Sequence, residues 1–395
     1  MQNILKIVIP SIPFLFIFSI FFLEVGLLII TLTGLFLIFK NKNFELFNNY
    51  FFKIIICFSI YLFLSSIFIH EIKDGYKYSY FYSRYIIYIV IISYFIDRFN
   101  LKNIFLKSFL IANLLLIFDA LFQFSFGFNI IGLKTLDIYR VSSFFGDELI
   151  LGGFILRISP LVFAFFFISR TEYLTTNNKG VLYIFPLLII LNLIVILISG
   201  ERAALFLYIL FCFYLFVFLK FKKRFKFIFL AALIFFSSTI VLSNKNIYER
   251  IINKTIFEVF GYNKFTEKYY VIEELITKDY YKNNCDKENK KNISEKCKNK
   301  KKIFLFSPTH NNYYLTSINI FLDHKIFGSG PKSFRILCSE DKYMINKYSC
   351  ATHTHNYYIQ LISETGIIGF LFILLFYSYF LILLRKVLIN QNLSN

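Results

Sequence analysis

Apolar residues come along this chain in long unbroken runs, parted by short polar stretches, and ten runs stand out: 4–21, 23–39, 51–69, 81–97, 104–126, 150–168, 181–198, 203–219, 227–243 and 356–384. A helix needs about 20 apolar residues to cross roughly 30 Å of hydrocarbon. Stretches such as Ile104 to Phe126, Val181 to Ile198 and Ile367 to Leu384 have about that length. Outer-membrane barrels lack such runs. The pattern predicts an all-α, polytopic transmembrane bundle of about ten spans. The last run is long enough to tilt, or to begin as a helix above the membrane surface. The first run carries Lys6, Pro10 and Pro13 with no small-x-small cleavage signal after it, and reads as a retained helix.

The polar stretches set the orientation, because Lys and Arg in short loops stay on the cytoplasmic side. With the N-terminus inside, the pairs Lys40 and Lys42, Arg98 and Lys102, Arg170 and Lys179, the run Lys220 to Lys226, and Arg385 with Lys386 all fall inside. The outer segments are then 70–80, 127–149, a tight turn at 199–202, and a long stretch 244–355. The expected domains are nine spans over 1–243, a large outer loop over 244–355, and a last span with a short cytoplasmic tail over 356–395. Helical spacing at Ile251 to Phe260 and Tyr313 to Phe321 predicts a small helical cap, while Lys278 to Lys302 is polar and reads as mobile.

Composition agrees: 57% of the residues are hydrophobic and 21% aromatic, with a mean hydropathy of +0.62. The net charge of +19 invites a nucleic-acid reading. The basic residues, however, cluster between apolar runs and in the one long polar stretch, a pattern of membrane topology, so no nucleic-acid partner is expected. Cys57 and Cys212 lie within spans, whereas Cys285, Cys297, Cys338 and Cys350 lie in the outer loop. An even set outside suggests disulfides, and Cys285 with Cys297 and Cys338 with Cys350 is the simplest of three pairings. A zinc site is the rival, without CxxC or paired His spacing to support it.

Four segments carry candidate chemistry. Thr352 to Gly366 places His353 and His355 at the outer mouth of a membrane helix, with Asn356, Gln360 and Ser363 as a polar stripe running into it. Such a stripe is costly in lipid unless it faces protein or a cavity, and imidazole is the usual proton acceptor near neutrality. The plain alternative is a histidine capping a helix. In Ser199-Gly200-Glu201-Arg202 the turn is so short that Arg202 sits at the outer interface, either snorkelling or binding phosphate oxygens. Arg140 to Glu148, followed by Gly152 and Gly153, offers another outer arginine beside small residues. Phe327 to Arg335 holds a Gly328-Ser329-Gly330 loop, which either exposes amides to an anion or makes an ordinary turn, with Lys332 and Arg335 favouring an anion.

These segments, in this order, resemble the O-antigen ligase and O-antigen polymerase superfamily of bacterial membrane glycosyltransferases. The likeness spans about 140–375 and is strongest in His355, Asn356, Gln360, Glu364 and Gly366, then in Arg202, then in Gly328 and Gly330, and weakest at Arg140. Family members often carry an arginine ahead of the GxG. Here that neighbourhood reads Thr309-His310-Asn311-Asn312, so His310 or Arg335 is the expected substitute. The resemblance implies a donor glycan on a polyprenyl diphosphate, with lipid A core or a lipid-linked saccharide as acceptor, at the periplasmic face of the inner membrane. His355 is then the expected proton acceptor, with His353 or Glu364 as support, and Arg202, Arg140 and Arg335 the expected partners of the diphosphate. No DxD-like motif is apparent, so neither metal nor cofactor is expected. A ligase is favoured over a polymerase because the large basic, aromatic loop suits anionic lipopolysaccharide. A transporter is the rival from another class and would need Arg84, Asp119 and Gln123, and a non-catalytic export scaffold is a third reading.

Overall fold

The computed structural model describes residues 1–42, 44, 48, 50–68, 75–135, 140–173, 180–218, 223–256, 262–263, 268–269, 308–346 and 349–393. The stretch Lys278 to Lys302, with Cys285 and Cys297, lies outside these. Each of the ten apolar runs corresponds to a helix: α1 (Gln2–Phe18), α2 (Ile20–Lys40), α3 (Tyr50–Phe68), α4 (Gly75–Arg98), α5 (Lys102–Phe126), α6 (Leu151–Tyr173), α7 (Gly180–Ser199), α8 (Arg202–Phe218), α9 (Lys223–Ser243) and, last, α13 (Tyr357–Leu393). Between α9 and α13 come α10 (Lys245–Tyr248), running into a π turn at Glu249–Asn253, then α11 (Pro308–Asp323) and α12 (Phe334–Leu337). A small antiparallel pair, β1 (Tyr262–Asn263) with β2 (Lys268–Tyr269), also falls in this interval.

Among the described residues, six helices are long and apolar enough to cross a membrane, and α1, α6, α7 and α8 contribute shorter apolar stretches. Their hydroxyls are satisfied inside the helix, as hydrocarbon demands: Thr31 donates to Leu27 O at 2.8 Å, Ser59 to Ile55 O at 3.0 Å and Ser159 to Ile155 O at 2.7 Å. Phe227 and Leu242 of α9 are each 74% exposed, which suits a lipid-facing surface and not a watery one. The fold is that of an all-α helical membrane protein.

Backbone contacts divide the chain into two units. The first comprises Met1–Leu37 and Ile91–Thr255. Its core is built where α1, α5, α6, α7 and α8 pack through Ile17, Leu116, Ile155, Val162, Ile196 and Tyr208. Ala112 and Ala120, both fully buried, let α5 approach its neighbours closely. Asp119 and Gln123 share one face of α5 and bind the loop that follows it. Asp119 accepts from Ile130 N at 2.9 Å and from the Ser143 hydroxyl, while Gln123 Oε1 accepts from Ser142 N at 3.1 Å and Ser143 N at 2.6 Å.

The second unit comprises Ile38–Val90 and Ile256–Asn395. An aromatic seam joins α3 to α13, with Phe51 against Phe376 at 5.5 Å and Phe58 against Phe372 at 5.4 Å between ring centroids. Helix α13 is broken at Gly366, whose φ of 62° and ψ of −168° are not helical. The break strips Ile367 and Ile368 of helical acceptors, and the loop after α11 supplies others: Lys325 O at 2.8 Å and Ile326 O at 3.3 Å. Tyr61 on α3 closes the joint by donating to Phe327 O at 3.0 Å and Thr365 O at 2.5 Å. The apolar run therefore continues through two helical pieces, 357–365 and 367–393.

Candidate active site

In the second unit the histidines gather ahead of α13. Asn356 is its N-cap, and its Oδ1 accepts from Tyr358 N at 3.1 Å and Ile359 N at 3.2 Å. Thr354, fully buried, donates to Asn356 O at 2.8 Å and fixes the approach. Between these two anchors His355 takes a left-handed backbone, φ 58°, a conformation that histidine tolerates better than most residues. Its ring then lies 4.1 Å from that of His353, 5.2 Å from that of His310, and stacks on Tyr313 at 5.6 Å. Packing against these rings, and then the charges that His353 and His310 can carry, hold its proton affinity below the ordinary imidazole value of 6.5. Near pH 7 His355 is thus a neutral base, still open to solvent, with a second imidazole, His353, on the Thr352 hydroxyl at 2.9 Å.

Beside this cluster lies a cavity of about 660 Å³, walled by α3, α4 and α13. Its greater part is apolar, lined by residues such as Ile55, Ile86 and Phe372, while Arg335, His353, Gln360 and Glu364 also border it. His353 therefore belongs both to the imidazole cluster and to the cavity wall. Glu364, 5% exposed, accepts from Lys332 N at 2.9 Å and Gln360 Nε2 at 2.9 Å, so its contacts run to the loop carrying Arg335.

Two of the expected ligand groups carry hydrogen bonds within the protein. The Gly328, Ser329 and Gly330 amides donate to His324 O at 2.9 Å, Ser363 O at 3.0 Å and Glu364 O at 2.9 Å, the turn alternative for this loop. Glycine is needed at 328 because a Cβ there would stand 2.3 Å from Glu364 C and Thr365 N. The side-chain oxygen of Asn356 is likewise committed to capping, and its side chain also bonds the Tyr314 phenol. Cys338, in the buried cluster of Ile320, Phe334, Leu337 and Tyr343, is joined by a disulfide to Cys350, with Cα atoms 4.9 Å apart. The bond ties the end of α12, which bears Arg335, to the strand leading into His353.

In the first unit the turn between α7 and α8 is the polar centre. Glu201 accepts from Gly152 N at 2.8 Å and Gly153 N at 3.0 Å, closing the N-terminus of α6. Burial lifts its proton affinity above the carboxylate norm, against the pull of those amides, Arg140 and Arg157. Arg140 donates to Ser199 O at 3.0 Å and Leu149 O at 2.8 Å, and stands 3.9 Å from Glu201. These bonds tie Arg140 to the turn and to the segment entering α6. Arg250 donates to Gly200 O at 3.0 Å, and Arg202 opens α8 half-buried. Sequence reading overlooked Arg157, Arg250 and the role of Glu201. For Arg157 the signal was present, since it is a cation within the run 150–168.

Ten apolar helices with polar clusters near the ends of α7 and α13 define the class: a multi-spanning membrane protein with chemistry-bearing side chains at helix ends. Residues 187–374 match the O-antigen ligase family, a stretch containing both the Arg202 turn and the His355 segment. Over that stretch, a little under half of its length, the chain is similar to the O-antigen ligase family. No curated protein matches it.

Proposed function

We propose that this chain is an O-antigen ligase, moving a glycan from a polyprenyl diphosphate to a hydroxyl of lipid A core at the periplasmic face of the bacterial inner membrane. Both termini are cytoplasmic in this reading, and neither metal nor cofactor takes part. The observation that carries it is the His355 imidazole, packed between His310 and His353 beside an apolar cavity with a polar border. Diphosphate is a good leaving group, so the work left to the protein is orientation, proton removal and charge neutralisation. His355 accepts the acceptor's hydroxyl proton as the oxygen attacks the anomeric carbon. The bond from that carbon to the diphosphate oxygen breaks, and the diphosphate departs on its lipid. Arg335 neutralises the diphosphate, His353 holds the saccharide, and the cavity receives a lipid chain.

Supporting transfer over transport, Asp119 and Gln123 bind the loop after α5, and Arg84 packs over Phe81 and Tyr85 at 4.8 Å from each ring. The test is transfer in vitro from a defined polyprenyl diphosphate glycan to purified lipid A core. His355→Ala should lower the rate by about 10² to 10⁴, the usual contribution of a general base. Full activity in that variant would remove His355 from the role. Deleting the gene should abolish all capped lipopolysaccharide on a gel, whereas a surviving single-repeat band would assign a polymerase instead.

A further inference from the structure

The loop between α11 and α12 reaches from one wall of the cavity to another, and Lys332 makes the crossing. On the α13 side the loop is pinned three times. Gly330 N donates to Glu364 O at 2.9 Å, the Ser329 hydroxyl to Ser363 O at 3.1 Å, and Lys332 N to the Glu364 carboxylate at 2.9 Å. On the α4 side the Lys332 ammonium lies 4.8 Å from the ring centroid of Tyr78 and 5.9 Å from that of Tyr82. These tyrosines stand one helical turn apart, and Tyr82 lines the cavity with Tyr85 and Ile89 farther along α4. Pro331 and Arg335 line it from the loop. The crossing therefore lies at the polar border of the cavity. Ser79, between the two tyrosines in sequence, donates to Leu62 O of α3 at 2.8 Å, which holds α4 to α3 independently of the lysine.

Lys332 makes this crossing from a left-handed backbone, φ 61°, a conformation that glycine would enter freely and a lysine enters under strain. Such strain persists where the surroundings over-determine it, and it gathers at ligand clamps and switch regions. The bond to Glu364 explains the backbone but not the side chain, since the amide of glycine would serve as well. Snorkelling would carry the ammonium to water, whereas this half-buried lysine sets it over two electron-rich rings. We propose that Lys332 is the latch of the cavity, a positioning residue whose cation–π contact holds the α4 wall to the loop and keeps the cavity closed around an apolar chain. The inference rests on the reading in which the cavity receives the lipid of the donor. It makes retention of that lipid depend on a contact apart from the groups assigned to the sugar and the diphosphate. With the ammonium off the rings, α4 keeps its bond to α3, loses its tie to the loop, and the cavity opens at that border.

The experiment uses the purified full-length protein in detergent, with geranylgeraniol as the probe, an isoprenoid alcohol without charge, and its apparent affinity read by thermal shift. Lys332→Gly removes the latch and the strain together. It should melt no lower than the wild type without the probe, yet bind the probe about twofold to thirtyfold more weakly, the range that a cation–π contact spans when it sets the closed population. Lys332→Arg keeps a cation over the rings and should bind nearly as the wild type does. Tyr78→Phe keeps the ring face and should do the same, whereas Tyr78→Leu should weaken binding, and its loss combined with that of Lys332→Gly should fall short of the sum. Wild-type affinity in Lys332→Gly overturns the latch, as do equal losses in the Gly and Arg variants, additive losses in the double variant, or a Lys332→Gly protein that melts well below the wild type. In transfer from a polyprenyl diphosphate glycan, Lys332→Gly should raise KM more than it lowers kcat. If probe binding needs Lys332 but no glycan is transferred, the latch stands and the ligase reading falls.

Discussion

Replacing Gly366 by alanine tests the joint on which the site of the second unit rests. At φ 62° and ψ −168° the position belongs to a region that only glycine enters freely, and a Cβ there costs about 1–3 kcal/mol in backbone strain. The same Cβ would stand 2.3 Å from Ile326 O and 2.5 Å from Gly328 N, so backbone must yield. Moving that backbone breaks the bonds of Ile367 N to Lys325 O and Gly330 N to Glu364 O, and a buried amide left unpaired costs about 1–3 kcal/mol. With two such amides the expected loss is roughly 3–9 kcal/mol, a large part of the 5–15 kcal/mol typical of a whole domain. Gly127 provides the comparison: its φ is +81°, but nothing lies within 4 Å of a Cβ placed there. Gly127→Ala should therefore cost only about 1–2 kcal/mol, the left-handed penalty alone. Unfolding both variants in mixed micelles measures the difference directly. If Gly366→Ala proves within about 1 kcal/mol of Gly127→Ala, the close approach of loop and helix break is not what the backbone contacts imply.

Other outcomes follow from particular contacts. Because His355 binds its proton less tightly than free imidazole, transfer should rise with pH through a midpoint below 6.5 and level off near neutrality. The same depressed affinity makes its contribution to stability present above 6.5 and lost as the pH falls through the folded value, which melting curves across that window would report. Glu201→Ala should destabilise by about 1–3 kcal/mol, since it strands the Gly152 and Gly153 amides, and Glu201→Gln by less, since one acceptor remains; chemical denaturation ranks them. Reducing the Cys338–Cys350 bond should cost about 3 kcal/mol for a loop of this size, read as a lower melting temperature that reoxidation restores.

Hydropathy made the ten helices legible because lipid imposes a length and a composition on every span. It was blind to the break at Gly366, since averaging over a window erases a single dihedral. The His355 segment was legible for its polar residues entering an apolar run. The rings packed around His355 were not, because His310 and Tyr313 reach it from α11 through tertiary packing that no local spacing reveals. Glycines were read by motif where close approach was the cause: Gly328 makes room for Glu364 and Thr365, and its amide serves the preceding helix. Arginines were read by proximity to the outer face, which singled out Arg140, whose bonds to Ser199 O and Leu149 O serve the framework, and passed over Arg157 within a span.

The discontinuity in α13 separates two mechanical duties. An uninterrupted helix transmits rotation, so that one residue added anywhere turns everything beyond it by about 100°. Here the piece bearing Gln360 and Glu364 is held by amides and a phenol from other elements, while the piece beyond Gly366 continues as an apolar span packed on α3. A residue inserted near Leu375 should rotate the lower piece alone and leave the imidazole end in register. The length of the membrane anchor is thereby free to follow the thickness of the bilayer without disturbing the chemistry at its head.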